Sequence, residues 1–247
     1  MSDWIQARVV GRQCWAESLY SVQFEAAISD FAAGQYIKVA LDIDGERVGR
    51  PYSLVNAPGE QPIEIFFNAV PEGPLTTRLA ALNAGDTVWM TATASGIFTL
   101  ESVQPSRDLW LLATGTGLGV YLSMLRSPEP WRLFERVVLV HGVRLGADLA
   151  YRETLEAIAQ RYLGRLTCVA AVSREAWPPG LSGRITDLLT SGALERHVGL
   201  TIDPAHSHVM LCGNSAMIKD TKLILEERGL VRHRRQVPGQ YSTEQYH

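Results

Sequence analysis

The chain has 247 residues, of which 46% are hydrophobic and 20% charged, and its formal net charge is −3. A chain of this length suggests two domains, although a single large domain is the alternative, and it should bury about 70% or more of its unfolded surface, so it needs neither disulfides nor a metal to fold. The near-neutral charge argues against bulk binding to nucleic acid or to an anionic membrane, because both usually require a basic surface.

The cysteines and the start of the chain indicate a compartment. Cys14, Cys168 and Cys212 lie far apart and form no C-x-x-C pair, which argues against a cysteine-ligated zinc site or iron–sulfur cluster and fits a reducing environment. The first residues lack a signal-peptide pattern, and no apolar run approaches the ~20 residues that span a bilayer. We therefore expect a soluble cytoplasmic protein with no metal site.

Arginine dominates the basic residues. Of the 23 basic residues, only Lys38, Lys219 and Lys222 are lysines. Arginine holds phosphate and other oxyanions with a fork of donors, but a GC-rich genome would also favour its codons. Composition alone leaves both explanations open.

The first hundred residues have the pattern of an antiparallel barrel. Predicted strands cover residues 36–43, 63–67, 87–91 and 97–100, with turn signals such as Asp44-Gly45 and Pro58-Gly59 between them. Short strands with frequent turns favour a closed antiparallel barrel. A short helix is predicted at residues 76–82.

After Pro105 the pattern changes to alternating strands and helices. Apolar runs at residues 109–113, 137–143, 166–172 and 208–212 predict buried parallel strands, and residues 149–162 and 215–228 have helical periodicity. Such alternation is typical of a doubly wound sheet. We place the domain boundary within residues 101–106.

A glycine-rich turn follows the first strand of this second half. Residues 113–119 (ATGTGLG) lie between that strand and the apolar segment 120–125. Glycines let the backbone approach a phosphate at a helix N-terminus, although the same turn also occurs without a ligand. No acidic residue at the end of the next strand marks the ribose site of an NAD enzyme.

Arginines instead follow the later strands. Arg144 ends the second strand, Ser173-Arg174 ends the third, and Arg184 follows a Pro-Pro-Gly loop. The carboxyl ends of the strands line the ligand crevice in doubly wound folds, so these residues suit a 2′-phosphate and favour NADP(H) over NAD(H).

Two further strings have candidate roles. The fourth strand ends in Cys212-Gly213-Asn214, where Gly213 would admit a flat ring, although Cys212 could simply fill the core. In the first half, Arg50-Pro51-Tyr52-Ser53 puts an arginine and an aromatic on one strand face, which suits a phosphate and a stacked heterocycle. An edge strand with ordinary surface residues explains the second string equally well.

Taken in order, these motifs resemble the ferredoxin–NADP(H) reductase family, and most closely its bacterial ferredoxin/flavodoxin–NADP(H) reductases. The resemblance runs over essentially the whole chain, including residues 43–48 (IDGERV) and 209–214 (VMLCGN). It implies an FAD-binding antiparallel β-barrel over residues 1–102. It also implies an NADP(H)-binding, Rossmann-like doubly wound parallel α/β domain over residues 103–247, with a C-terminal tail that returns to the flavin.

The resemblance also implies roles for individual residues. Tyr52 would stack on the flavin, Ser53 would hydrogen-bond near its N5 atom, and Arg50 would hold the pyrophosphate. The implied FAD contacts are Arg50, Pro51, Tyr52, Ser53, Phe67, Pro74, Leu75, Thr76, Thr116, Tyr246 and His247. The implied NADP(H) contacts are Val143, Arg144, Ser173, Arg174, Arg184, Cys212, Gly213, Asn214 and Asp220. We expect Ser53, Cys212 and Glu244 to be the catalytic residues, with Ser53 and Glu244 assisting proton delivery.

The implied activity is exchange of hydride with NADP(H) and of single electrons with ferredoxin or flavodoxin, by a monomer. Because these carriers are acidic, a basic patch is expected, and Arg232-His233-Arg234-Arg235 is the densest candidate, although it also fits a solvated turn. The chain ends in His247, where the family usually has an aromatic residue, often Trp.

Two other functions remain open. The same two domains could form a flavin, ferric-chelate or oxygenase reductase, although an iron–sulfur module of its own is excluded by the three scattered cysteines. A non-enzymatic nucleotide-binding regulator is the second alternative, and it would be colourless and would not oxidise NADPH.

Overall fold

The computed structural model describes residues 3–71, 73–101, 103–234 and 236–245. Within these residues, no helix is both long and apolar enough to cross a membrane. The chain forms two compact units, one of residues 1–99 and 119–127 and the other of residues 100–118 and 128–247. The segment 119–127 belongs to the first unit because Ser123 Oγ donates to the Asn56 carbonyl at 2.8 Å and Arg126 pairs with Glu60 at 2.7 Å.

The first unit is built on a six-stranded antiparallel sheet. Its strands are β1 (Trp4–Ala16), β2 (Leu19–Glu25), β3 (Tyr36–Ile43), β4 (Glu46–Ser53), β5 (Ile63–Asn68) and β6 (Thr87–Thr91). They lie in the order β4-β3-β6-β1-β2-β5, and the two ends of the sheet meet at an antiparallel bridge between Leu54 and Ile65. The predicted antiparallel barrel is confirmed.

Alternating side chains fill the barrel. Inward-facing residues such as Val22, Phe24 and Val39 are fully buried, as expected for strands with one face on the core. Helix α1 (Thr76–Ala81) adds Leu79 to this core, at the place where residues 76–82 predict a helix. Helix α2 (Leu118–Arg126) contributes a second apolar surface.

The strand predicted at residues 97–100 is wrong. The chain leaves the sheet at Gly96, whose φ of +114° is a left-handed conformation. Past this point Ile97 is 88% exposed, whereas Phe98 and Leu100 are buried as parts of a loop. Phe98 and Leu100 are therefore apolar because the loop packs them into the interior, and not because they belong to a β-strand.

The second unit contains a six-stranded parallel sheet. Its strands are β7 (Asp108–Thr114), β8 (Arg136–Val143), β9 (Leu166–Val172), β10 (Leu181–Ser182), β11 (Ser207–Gly213) and β12 (Tyr241–Gln245). The helices of this unit are α3 (Glu129–Leu133), α4 (Arg152–Arg161), α5 (Ile185–Thr190), α6 (Ala193–Val198) and α7 (Ser215–Glu227). The predicted doubly wound parallel sheet is confirmed.

The strand order of this sheet places a ligand crevice. In the order β10-β9-β8-β7-β11-β12, the chain moves outward from β7 through β10 and then returns to the other side of β7 as β11. In doubly wound sheets, ligands bind beyond the carboxyl ends of the strands at such a reversal. At the opposite edge the carboxylate of Asp108, which is fully buried, pairs with Arg107 and Arg136, both at 2.8 Å.

Candidate functional site

Strand β4 presents the string Arg50-Pro51-Tyr52-Ser53 at one end of the barrel sheet. Arg50 and Pro51 are exposed, whereas Tyr52 and Ser53 are half-buried. A proline is tolerated here because β4 ends the sheet order and its outer N–H groups need no ladder partner. Arg50 and Tyr52, two residues apart on one strand, share a face of the sheet.

An aromatic cluster surrounds Tyr52. Its ring meets Phe67 edge-on with centroids 5.9 Å apart, and Phe67 in turn stacks on Tyr20 at 6.2 Å. The Tyr52 hydroxyl is buried and has no hydrogen-bond partner within the described part of the chain. Burial raises the pKa of Tyr52 to about 12, partly opposed by the charge of Arg50, so the phenol stays neutral and can donate.

The segment before helix α1 holds three more of the predicted FAD contacts. Pro74 is exposed, Leu75 is buried and Thr76 is half-buried. Thr76 Oγ1 accepts a hydrogen bond from the Val70 amide at 3.1 Å, which leaves the hydroxyl hydrogen available to a ligand. Thr116 belongs to the second unit, and Tyr246 and His247 lie outside the described residues.

In the second unit the glycine-rich turn meets the end of β11. A Cβ on Gly117 would lie 2.6 Å from the Cys212 carbonyl oxygen, and one on Gly213 would lie 2.3 Å from Thr114 Oγ1. Gly213 also has a φ of +126°. Only glycine fits at either position, so the two strand ends at the crevice approach each other as closely as backbones can.

Hydrogen bonds fix this contact from both sides. Thr114 Oγ1 accepts from the Asn214 amide at 2.8 Å, and Asn214 Oδ1 caps helix α7 by accepting from the amides of Ala216 and Met217. Asn214 therefore links the end of β11 to the first turn of α7.

A buried histidine holds the other side of the turn. His141 Nε2 lies 3.0 Å from the carbonyl oxygen of Gly115, and because a carbonyl only accepts, Nε2 carries the hydrogen. Burial lowers the pKa of His141 to about 4, so the ring is neutral at physiological pH. Sequence reasoning missed this residue, although a polar side chain inside the otherwise apolar run 137–143 was a usable signal.

The predicted arginines lie on three adjacent strand ends. The sheet register aligns Val143 with Val172, and Val172 with Ser182. Arg144 therefore lies one residue beyond the aligned residue of its strand. Arg174 and Arg184 each lie two residues beyond theirs. The described residues include no ion pair to any of these exposed arginines, so their charges remain available to an anion.

Backbone and hydroxyl groups join these strand ends. Ser173 Oγ donates to the Val143 carbonyl at 3.1 Å, and the Arg174 amide donates to the Arg144 carbonyl at 2.9 Å. Asp220 is exposed in helix α7, on a different element from the three arginines.

Cys212 and Glu244 are neighbours across the sheet. Cys212 is fully buried in β11, and the register pairs it with Glu244 of β12, which is half-buried. Of the predicted basic patch, Arg232 and Arg234 are exposed and His233 is half-buried, whereas Arg235 lies outside the described residues.

Comparisons with known proteins follow the same division into two halves. The family described as "Oxidoreductase FAD-binding domain" matches residues 12–98, and "Oxidoreductase NAD-binding domain" matches residues 111–223. The chain is 44% identical over 222 residues to the flavodoxin/ferredoxin–NADP reductase of Escherichia coli, covering 90% of both chains. It is 34% identical to the ferredoxin–NADP reductase of Pseudomonas aeruginosa, covering 99% of this chain and 98% of that one.

A solved structure agrees in fold. The ferredoxin NADP+ reductase of Neisseria gonorrhoeae, described with bound FAD and NADP, superposes with a TM-score of 0.92 at 28% identity and covers 98% of each chain. Both sheets, in their order along the chain, are therefore shared with a reductase of this kind. Given this fold and the 44% identity over nine-tenths of its length, the chain belongs to the flavodoxin/ferredoxin–NADP reductase family.

Proposed function

We infer that this protein is an FAD-dependent oxidoreductase that exchanges electrons between NADP(H) and flavodoxin or ferredoxin. The observation that carries the inference is the 44% identity to the reductase of Escherichia coli, which extends through 90% of both chains. We propose the FAD-binding domain over residues 1–102 and the NADP(H)-binding domain over residues 103–247.

The barrel has donors that fit FAD. A buried hydroxyl normally has a hydrogen-bond partner, so the unpartnered Tyr52 hydroxyl fits a polar group of a bound ligand. The nearby charge of Arg50 fits an anionic group of the same ligand, and the Tyr52 ring fits its aromatic part. We propose that Tyr52 contacts the ring system and Arg50 the pyrophosphate, and that Thr76 donates its free hydroxyl hydrogen. Bound FAD supplies the chemistry that links a two-electron donor to a one-electron carrier.

Pro51, Ser53, Phe67, Pro74 and Leu75 complete the proposed FAD contacts of the barrel. We add Thr116, Tyr246 and His247 as contacts from the second domain. Phe67 supports this assignment because it already packs against the edge of the Tyr52 ring.

The parallel sheet has donors that fit NADP(H). We propose that Arg144, Arg174 and Arg184 bind the 2′-phosphate, since three exposed guanidinium groups follow aligned strand ends at the expected crevice. The interlocked glycine turn would admit the pyrophosphate, and Gly213 would let the nicotinamide approach the backbone. Val143, Ser173, Cys212, Asn214 and Asp220 complete the proposed contacts.

Three residues are proposed to act at the reacting rings. Cys212 would lie against the nicotinamide, and Ser53 and Glu244 would hold or move a proton. The register that pairs Glu244 with Cys212 supports a joint position at the end of β11. A Ser53→Ala variant that is reduced by NADPH at the parent rate would remove Ser53 from this set.

The electron partner is proposed to be an acidic carrier, flavodoxin or ferredoxin, that docks on the basic patch of residues 232–235. Arg232 and Arg234 are exposed there, which supports the assignment. We further propose a monomer in the cytoplasm, and the lack of a disulfide bond at Cys14, Cys168 and Cys212 agrees with a reducing compartment.

Turnover with matched acceptors tests the function. The holoenzyme should oxidise NADPH faster than NADH with flavodoxin or ferredoxin as acceptor. Arg232→Glu with Arg234→Glu should slow turnover with the protein carrier and weaken its salt dependence, while leaving reduction of a small neutral dye at the parent rate. Equal loss with carrier and dye would place docking elsewhere, and absence of NADPH oxidation would refute the function.

A further inference from the structure

Trp177 fills the space between two of the segments that carry the proposed 2′-phosphate site. It lies three residues after Arg174, in the connection from β9 to β10. A Cβ on Gly146 would lie 2.1 Å from ring atom Cζ3, and one on Gly180 would lie 3.0 Å from Cδ1. Because Gly146 is two residues after Arg144, a single indole ring packs against the segments that follow both arginines.

Hydrogen bonds surround this ring and join the same segments. The Gly146 amide donates to Glu175 Oε1 at 2.6 Å, which ties the segment after β8 to the one after β9. The Trp177 amide donates to Ser182 Oγ at 2.8 Å, which ties the second segment to β10. The indole therefore stands at the centre of a small network that spans three strand ends.

The ring is held by packing. Its Nε1 atom is buried and has no hydrogen-bond partner within the described residues. An unpartnered buried N–H group costs free energy, so the favourable terms at this position are the contacts of the ring with Gly146 and Gly180. Replacing the ring by a smaller side chain would leave a gap between the two segments.

We propose that Trp177 is a positioning residue for the selection of NADP(H) over NAD(H). The ring packs the segment after β8 against the segment after β9, beside the hydrogen bond from the Arg174 amide to the Arg144 carbonyl, and thereby helps to fix the separation of the two arginines. This rests on the proposed role of these arginines in binding the 2′-phosphate. Two guanidinium groups hold a phosphate dianion most tightly when both converge on it, so the separation of the two backbones affects the affinity.

Binding of two probes to the holoenzyme tests the proposal. The probes are 2′-phospho-AMP, which has the phosphate, and 5′-AMP, which lacks a 2′-phosphate. Trp177→Ala should weaken binding of 2′-phospho-AMP by roughly tenfold or more and binding of 5′-AMP by much less, since loss of one charge-assisted hydrogen bond to the phosphate has an effect of this size. Trp177→Phe keeps an aromatic ring, so it should restore part of the ratio of the affinities for 2′-phospho-AMP and 5′-AMP. The preference of the enzyme for NADPH over NADH should change in parallel with this ratio.

Two control variants separate the outcomes. Trp131→Ala removes another buried indole of the same unit, stacked on Tyr162 at 3.7 Å, and should lower the Tm without changing the ratio of the two affinities. Arg174→Ala should reduce that ratio strongly.

The positioning role alone is overturned if Trp177→Ala leaves the ratio of the two affinities unchanged while Arg174→Ala reduces it. An equal loss of affinity for both probes counts as an unchanged ratio. If Trp177→Ala does not fold, Trp177→Leu, which also lacks the ring atoms that face Gly146, is measured in its place and decides in the same way. An unchanged ratio in Arg174→Ala would refute the 2′-phosphate site itself, and the role of Trp177 would fall with it.

Discussion

Acidification should destabilise this protein through His141. The ring is 4% exposed, donates from Nε2 to the Gly115 carbonyl, and has a pKa lowered from 6.5 to about 4 by burial. Between these two values the unfolded chain binds more protons at this residue than the native protein does. The free energy of unfolding therefore falls as the pH decreases through this window, and the contribution of His141 is fully present above it.

The magnitude follows from the two pKa values. With 6.5 in the unfolded chain and about 4 in the native protein, acidification from pH 8 to pH 5 removes about 2 kcal/mol of stability through this one ring. His208, whose pKa is lowered to about 3 by burial and by the nearby His233, adds a similar loss. His141→Gln keeps an N–H donor in place but does not titrate, so it should remove about half of this combined loss.

Chemical denaturation of the holoenzyme at pH 8 and pH 5, followed by far-UV circular dichroism, measures this difference. Effects that are common to both proteins, including release of cofactor, cancel when the change with pH in the variant is subtracted from that in the parent. The matched control is His197→Gln, which removes an exposed histidine from α6 and should change the pH dependence little. The reasoning is refuted if His141→Gln and the parent lose the same stability between the two pH values.

Three further substitutions test the crevice and the opposite sheet edge. Gly213→Ala should lower the free energy of unfolding by about 3 kcal/mol, because φ is +126° and the new methyl group would lie 2.3 Å from Thr114 Oγ1; an unchanged Tm would contradict this. Asp108→Ala should cost about 3 kcal/mol by leaving two arginines without their buried carboxylate, and it should leave the NADPH preference intact. Asn214→Ala should cost about 1 kcal/mol in thermal unfolding through loss of the α7 cap, and a loss below a few tenths would argue against that cap.

The parallel sheet could be predicted from the sequence because its central strands β7, β8 and β11 are buried on both faces. Every residue of β11 is buried, and such a run is recognisable without knowledge of its partners. The sequence pattern does not indicate strand β1, because register shifts after Val9 and Cys14 break its alternation and only two of its thirteen residues are buried. The sequence pattern also gives no signal for strand β12, since it is short and mostly polar.

The candidate site divides in the same way. Local motifs predict Tyr52, the glycine turn and the arginines at strand ends as candidate site residues, because turn chemistry and strand ends are properties of short segments. The roles of His141 and Trp177 depend on contacts with residues 26 and 31 positions away, Gly115 and Gly146, which no short pattern encodes. Only the folded sheet brings these side chains to the crevice.

The most direct test of FAD-mediated oxidation of NADPH is the visible spectrum of the purified protein under anaerobic titration. We expect a yellow protein whose flavin absorption bleaches on addition of NADPH, and bleaches much more slowly with the same amount of NADH. A colourless protein would contradict FAD binding. A flavin band that bleaches equally fast with both nucleotides would contradict the 2′-phosphate site at Arg144, Arg174 and Arg184.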